Sequence, residues 1–428
     1  MKFLIKNAHL VDPVNKIDGR RDILIQGTRI ARVENKLSDA SAKIIDAQGK
    51  IVMPGLVDMH VHLREPGRED KETILSGTSA ALKGGVTSCL VMPNTEPAMD
   101  SPANIKLLKK VIKQTARMNV FIAAALTKER QGLQAVNISS LKKEGALAFS
   151  DDGSSVDSDK VFLDVAKQAR KAKSLIICHS EDTALSAGGT VNLGPVSTRM
   201  GLKGISRQSE YERVERDIQL ASKAASRVHI AHVSCAESVE IIRRAKKKGV
   251  AVTAETAPHY FALTESAVLG FDTSKKMNPP LRRKEDLEAI KQGLKNGVLD
   301  AIASDHAPHT ENEKDIEFEY AEFGTIGLET ELSASITYLI TPGILTWSDL
   351  VCKLSLNPSR ILGLDKGNLA PGKDADLIIV DPNKQWTVGK ESFISKSKNS
   401  AFLGAQLQGE VEYTFCKGEI AYFKEGKI

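Results

Sequence analysis

Two histidines, His60 and His62 in the run MPGLVDMHVHLREPG, stand two residues apart on a segment that reads as a strand. Alternate strand residues project from one face, so both imidazoles aim at one point. Neutral imidazole binds zinc and other divalent transition metals, and carboxylates commonly complete such sites. The chain offers carboxylates at Asp151 and Asp152 in ALAFSDDG and at Asp305 in SDHAPHT, with further imidazoles at His179 in CHSED and His232 in AHVS. Each of these ends a short apolar run, as does Asn94. Arg64 lies two residues beyond His62 and would reach the same place, with a planar guanidinium suited to bidentate pairing with a carboxylate.

Eight apolar runs supply the strands that must position these groups: VDMHVHL, SCLVMPN, VFIAAAL, ALAFSDD, SLIICHS, VHIAHVS, VAVTAET and LDAIASD. Most are separated by amphipathic helical patterns; in VFLDVAKQARKAK, Val161, Phe162, Val165, Ala166 and Ala169 form one stripe. Eight strand-then-helix repeats predict an α/β fold, a (β/α)8 TIM barrel spanning 54–365, whose chemistry gathers at the C-terminal strand ends. His60, His62, Asp152, His179, His232 and Asp305 are then six metal ligands at one mouth. They are too many for one tetrahedral zinc with an open position, whereas two divalent ions, zinc being suited to these donors, sharing a carboxylate and a water would use them all. Alternation counted from Ala146 puts Ala148, Ser150 and Asp152 on one face and Leu147 and Phe149 on the other, which selects Asp152 as the shared carboxylate. The alternative is that Asp151 bridges and Asp152 belongs to the turn before Gly153. Hairpin patterns at both chain ends, with turns near Gly27, Gly49 and Lys417–Gly418, predict a small β-sandwich domain from 1–53 plus 366–428.

Composition narrows the function class. The net charge of +5 comes from 59 basic and 54 acidic residues interleaved along the chain, so neither a nucleic-acid stripe nor a polybasic membrane patch is expected. Five cysteines without CxxC spacing predict neither a disulfide framework nor a zinc ribbon, and the chain reads as cytoplasmic, with no signal-peptide core and no membrane span. Cys178 is predicted to face the helices as a small hydrophobe, and His9, His229 and His259 read as structural.

The motifs DMHVHLREPG, MPNTEP, FSDDG, CHSED, AHVS, MNPPLR, SDHAPHT and FGTIGLE together resemble the cyclic amidohydrolases, specifically the class I dihydroorotases, over essentially the whole chain. The resemblance implies reversible cyclisation of N-carbamoyl-L-aspartate to L-dihydroorotate and water, a step of pyrimidine synthesis. It implies one metal held by His60, His62 and Asp305, a second held by His179 and His232, and an aspartate bridge of the kind found in some bacterial members in place of the carbamylated lysine of many amidohydrolases. A hydroxide between the metals would attack the ring amide, with Asp305 as general acid and base. The implied substrate ligands are His62, Leu63, Arg64, Asn94, Asn278, His309 and the backbone of Phe323 and Gly324, with Arg282 structural. The acidic segment HTENEKDIEFEYAEFG would form a mobile lid. Association with aspartate carbamoyltransferase and homo-oligomerisation are further implications. Competing expectations are a hydantoinase or allantoinase, a non-catalytic subunit of a transcarbamoylase assembly, and a plain metal-binding protein.

Overall fold

The computed structural model describes residues 1–424. Eight strands follow one another around a barrel: β1 (Leu56–Val61), β2 (Val86–Val91), β3 (Asn119–Ala124), β4 (Ala146–Ser150), β5 (Leu175–Cys178), β6 (Val228–Ile230), β7 (Val252–Thr256) and β8 (Ala301–Ile302). Neighbours in sequence are neighbours in the sheet, and every pairing is parallel. The ring closes between β1 and the end of β8, where the His62 N–H donates to the His306 carbonyl at 2.9 Å. These are the eight apolar runs of the sequence, trimmed so that most of the polar end residues lie just beyond the last ladder pair.

The strands alternate as parallel barrel strands should. In β5, Ile176 and Cys178 pack with helix residues Phe162, Val165 and Ala166, whereas Leu175 and Ile177 join a different cluster with Leu90, Met92 and Ala123. Cys178 therefore lies on the helix side, where burial pushes its thiol pKa well up and keeps it protonated. The helix Asp159–Ala172 shows how the outer layer is specified. The Ser158 hydroxyl caps the Val161 N–H, Phe162, Val165, Ala166 and Ala169 are its buried face, and Lys173 ends it in a left-handed conformation.

Both chain ends build one eight-stranded sheet. Strands Lys2–Asp12, Ile17–Gln26, Arg29–Glu34, Lys43–Asp46 and Ile51–Pro54 come from the N-terminal side, and Leu377–Thr387, Gln406–Cys416 and Glu419–Phe423 from the other. Ile51–Pro54 is the seam, parallel to the first strand and antiparallel to Leu377–Val380. One face packs Phe3, Ile5, Ile23, Ile25, Leu377, Ile379 and Phe415 together, and the other lays Ile51, Met53, Ile378, Val380 and Val411 on the barrel's own core. The Asp12 carboxylate links the termini by accepting from the Leu369 N–H at 2.7 Å. At the last hairpin Lys417 and Gly418 both have positive φ, and a side chain at Gly418 would meet the Gly27 carbonyl at 2.0 Å. Among the described residues no helix is long and apolar enough to cross a membrane, and all five cysteines are free.

Candidate metal and carboxylate site

The six predicted metal ligands converge at one end of the barrel. His60 lies inside β1, His62 and His179 directly follow β1 and β5, and Asp152, His232 and Asp305 follow β4, β6 and β8 within three residues. His60 Nε2 stands 3.1 Å from Asp152 Oδ1 and 3.7 Å from Asp305 Oδ1, and His62 Nε2 stands 3.4 Å from Asp152 Oδ2 and 3.5 Å from Asp305 Oδ1. Across from them His179 Nδ1 and His232 Nε2 lie 3.7 and 3.6 Å from Asp152 Oδ1 and 2.8 Å from each other. Asp152 thus touches all four imidazoles, whereas Asp305 touches only the His60 and His62 pair. His232 and Asp305 reach the mouth with φ of 34° and 49°, a region costing a non-glycine residue roughly 1–3 kcal/mol, which the surrounding barrel must hold in place.

Asp151 is occupied elsewhere. Its carboxylate accepts the Leu126 and Thr127 N–H groups at 2.8 and 3.1 Å and the Thr127 hydroxyl, tying the end of β3 to that of β4. Strand parity fails locally in β4. The β3–β4 ladder pairs Ile122 with Ala146 and Ala123 with Ala148, skipping Leu147. Ala146 consequently packs with Phe149, and Leu147 with Ala148, opposite to a count begun at Ala146. Only Ala146 and Leu147 are displaced; Ala148 and Phe149 keep the faces the count gives them, and the distances of Asp152 and the hydrogen bonds of Asp151 agree with the choice of Asp152.

Buried polar atoms left without partners show that this cluster fits a cation. His60 Nε2 and Asp152 Oδ1 are both buried and unbonded. Donor atoms of His60, Asp152 and His232, and of His60, His62 and Asp305, lie within 4.8 Å of one another. The far ring nitrogens are held by acceptors, His60 Nδ1 by Glu255 at 2.8 Å, His62 Nδ1 by Asn94 Oδ1 at 2.8 Å and His179 Nε2 by Glu181 at 3.0 Å, which turns the opposite lone pairs toward the centre. Against the penalty of burial, the Asp152 and Glu181 carboxylates raise the His179 pKa to about 10. Burial likewise opposes ionisation of Asp305, but His62, His60 and His232 hold its pKa well below the usual range. A divalent cation would take the place of the protons such an arrangement attracts.

Beside the metal ligands lies a second, cationic pole. Arg64 donates to the Pro308 carbonyl at 3.2 Å and lies 3.3 Å from His309 Nε2, and no carboxylate among the described residues pairs with its guanidinium. Burial lowers its pKa to about 10, with Asp305 and Asp152 opposing. Asn94 spends its carbonyl oxygen on His62 and keeps its amide nitrogen unpartnered among the described residues. Asn278 donates to Glu181 at 3.0 Å, on the far side of His179. Leu63 sits in the core, its side chain against Gly77, so only its backbone can serve a ligand. The Gly324 N–H donates to Lys276 and its carbonyl accepts from Asn399, while the Phe323 carbonyl accepts from His309, so of the expected backbone pair Gly324 is fully bonded within the protein.

Some expectations change. Lys276 Nζ donates to the Glu319 and Ala321 carbonyls and Lys314 Nζ to those of Thr273 and Glu322, and Phe318 is buried, so the acidic segment expected to be a mobile lid is bonded along its backbone by two lysine side chains. Arg282 is buried among Ser234, Asn192 and Glu210, the structural role expected of it. His9 pairs with Asp18 and His229 with Thr253, but His259 is buried with Nε2 unpartnered among the described residues, and burial lowers its pKa to about 4. Sequence reasoning missed Glu255, Glu181, Lys71 and Asn399. Glu181 was accessible, two residues past His179 in CHSED; Glu255 sits on β7, a strand to which no chemistry was assigned.

Comparison with known proteins agrees with this geometry. A family model described as dihydro-orotase-like matches residues 49–238. The chain is 56% identical to a dihydroorotase of Elusimicrobium minutum, over 98% of this chain and 97% of that protein, and 47% identical to a dihydroorotase of Pelotomaculum thermopropionicum over 98% of each. Among solved structures it superposes on an L-hydantoinase (dihydropyrimidinase) from Arthrobacter aurescens with a TM-score of 0.89 and 26% identity, covering 100% of this chain and 97% of that one. With matching identity over nearly its full length and the histidine and aspartate cluster at the barrel mouth, the chain belongs to the dihydroorotase family of cyclic amide hydrolases.

Proposed function

We propose that the chain interconverts N-carbamoyl-L-aspartate and L-dihydroorotate in pyrimidine synthesis, at a centre in which His60, His62 and Asp305 would hold one divalent metal and His179 and His232 a second, with Asp152 as the ligand they would share. The observation that carries this reading is the contact of Asp152 with all four imidazoles. The nitrogen and oxygen donor set suits zinc. Metals bound there would supply Lewis acidity toward the amide carbonyl and lower the pKa of a water.

The protein's own residues do the rest. Asp305 is the most exposed of the six ligand side chains at 14%, against 0–5% for the others, so it is the one carboxylate of the cluster reachable from the mouth. In the hydrolytic direction it accepts the proton of the attacking water and delivers it to the ring nitrogen as the amide bond breaks; ring closure reverses both transfers. Arg64, Asn94 and His309 grip the substrate carboxylate, and an unpaired, largely desolvated guanidinium is suited to such an anion. Asn278 would hydrogen-bond the pyrimidine ring. A hydantoinase activity on the same barrel would leave Arg64 without a partner anion.

Metal analysis beside turnover tests the proposal. Two metals per chain, dihydroorotate hydrolysis well above that of hydantoin or allantoin, and metal loading indifferent to added bicarbonate are expected. A strong bicarbonate dependence would return the bridge to a carbamylated lysine. Self-association and association with aspartate carbamoyltransferase belong to the same proposal, supported by the family resemblance alone, and size-exclusion chromatography of the chain with and without that enzyme checks both.

A further inference from the structure

His309 is surrounded by groups that compete for its ring. Lys71 Nζ lies 3.2 Å from Nδ1, while the Phe323 carbonyl lies 2.8 Å and Arg64 Nη2 3.3 Å from Nε2. Lys71 is buried in the turn ahead of the helix Ile74–Lys83, and its ammonium is paired with Glu313 at 2.9 Å. An ammonium has only protons to offer, so the nearest partner of Nδ1 calls for its lone pair, the Glu313 carboxylate being farther at 3.6 Å. At Nε2 the Arg64 guanidinium also offers only protons, but the Phe323 carbonyl, an acceptor, is nearer at 2.8 Å against 3.3 Å. A neutral ring then carries its proton on Nε2, the atom that faces the Phe323 carbonyl and the Arg64 side of the mouth. The other tautomer would set an N–H against the Lys71 ammonium and a lone pair against the Phe323 oxygen. Double protonation is opposed by burial and by Arg64, Lys71 and Lys314, with Glu313 the opposing charge.

We infer that Lys71 is a positioning residue that locks His309 as the Nε2–H tautomer and thereby makes it a hydrogen-bond donor to the substrate carboxylate beside Arg64. The inference rests on the reading of His309 as a carboxylate ligand. Lys71 touches no substrate; it acts through the imidazole, and Glu313, also bonded to Arg68 and Thr310, fixes where its ammonium sits. Without substrate the Nε2–H donates to the Phe323 carbonyl, and a bound carboxylate would accept that hydrogen bond instead.

The experiment uses the metal-loaded full-length protein with 15N-labelled histidine. Long-range proton–nitrogen correlation, assigned by comparison with His309→Ala, should show His309 Nδ1 unprotonated and Nε2 protonated. Lys71→Met should populate the other tautomer, raise KM for dihydroorotate about tenfold with kcat within about threefold, and leave metal content unchanged. Lys71→Arg should restore both tautomer and KM. A wild-type spectrum with the proton on Nδ1 overturns the inference without any variant, as does an unchanged KM in Lys71→Met when His309→Ala raises KM. If His309→Ala itself leaves KM unchanged, the carboxylate reading fails, and the inference with it, and that result is distinct from a Lys71 failure.

Discussion

The two poles of the mouth are built differently. Every metal-pole residue stands on a barrel strand or within three residues of its end, so the hydrogen-bond register of the barrel fixes the cluster. At the carboxylate pole Arg64 and Asn94 also lie three residues past β1 and β2, but His309 stands seven residues past β8 on a loop, and long-range contacts hold it. The His309 N–H donates to Asn399 Oδ1, the Asn399 amide donates to the carbonyls of Ala307 and Gly324, and the Ser397 hydroxyl donates to the Lys71 carbonyl. Residues 397–399 lie between Leu377–Thr387 and Gln406–Cys416, two strands of the terminal sheet. A loop of the sheet made from the chain ends therefore braces the His309 and Lys71 side of the mouth. Catalytic metals need sub-ångström placement, which a barrel supplies; a carboxylate grip can be varied by loops without disturbing them.

The largest expected effect separates the poles most sharply. Asp305→Asn keeps the shape and one ligand oxygen of the side chain but removes the proposed proton carrier, so turnover should fall by roughly 10³-fold or more with the thermal transition near that of wild type. Retention of a tenth of the activity would move the proton transfer to another group. Arg64→Ala is its counterpart at the other pole. Removing one partner of a buried charged pair costs about 2–3 kcal/mol, so KM should rise roughly 30- to 150-fold while metal content stays at the wild-type value. Loss of metal in that variant would show that the poles are not separable.

The sequence revealed the two poles unequally, for the same physical reason. Alternation and strand ends can be counted along a chain, so His60, His62, His179 and His232 were visible, and the eight runs were the eight strands. The count failed locally at Leu147, because a skipped ladder residue shifts every face before it while leaving the apolar pattern intact. Loop contacts between residues 90 and 238 positions apart have no period. Lys71 beside His309 and Asn399 behind it follow from no local pattern, and Arg64 was reachable only because it adjoins His62. The acidic segment misled because its exposed side chains read as a lid, whereas its carbonyls are taken up by Lys276 and Lys314.

Glu255→Gln probes the metal pole from behind. Glu255 accepts from His60 Nδ1 at 2.8 Å and stands 3.2 Å from His229 Nε2, and although burial opposes ionisation, His229 and His60 hold its pKa at about 2. The neutral amide can still fill the space but orients His60 less strictly, so metal affinity should drop about 10- to 100-fold. Competition with a chelator measures this directly. The KM of the fully metal-loaded variant should stay within about threefold of wild type, and a larger change would mean that the two poles share His60.

The smallest effect concerns the loop beneath the carboxylate pole. Burial and the neighbouring Lys276 lower the Lys314 pKa from 10.5 to about 7. The folded protein then binds fewer protons than the unfolded chain between these values, so this group's contribution makes stability rise with pH across that window. Its destabilising effect is complete below pH 7 and is relieved as pH climbs toward 10.5. Lys314→Met lacks the titration but also loses the bonds to the Thr273 and Glu322 carbonyls, at every pH. Wild type should therefore gain on the variant by at least about 1 kcal/mol between pH 7 and pH 9, since a tenfold change in a protonation equilibrium corresponds to about 1.4 kcal/mol. Denaturant unfolding of both proteins at the two pH values measures the gain. Parallel stability profiles would mean that Lys314 stays charged in the fold, and the acidic segment would then be held by an ammonium rather than by a neutral amine.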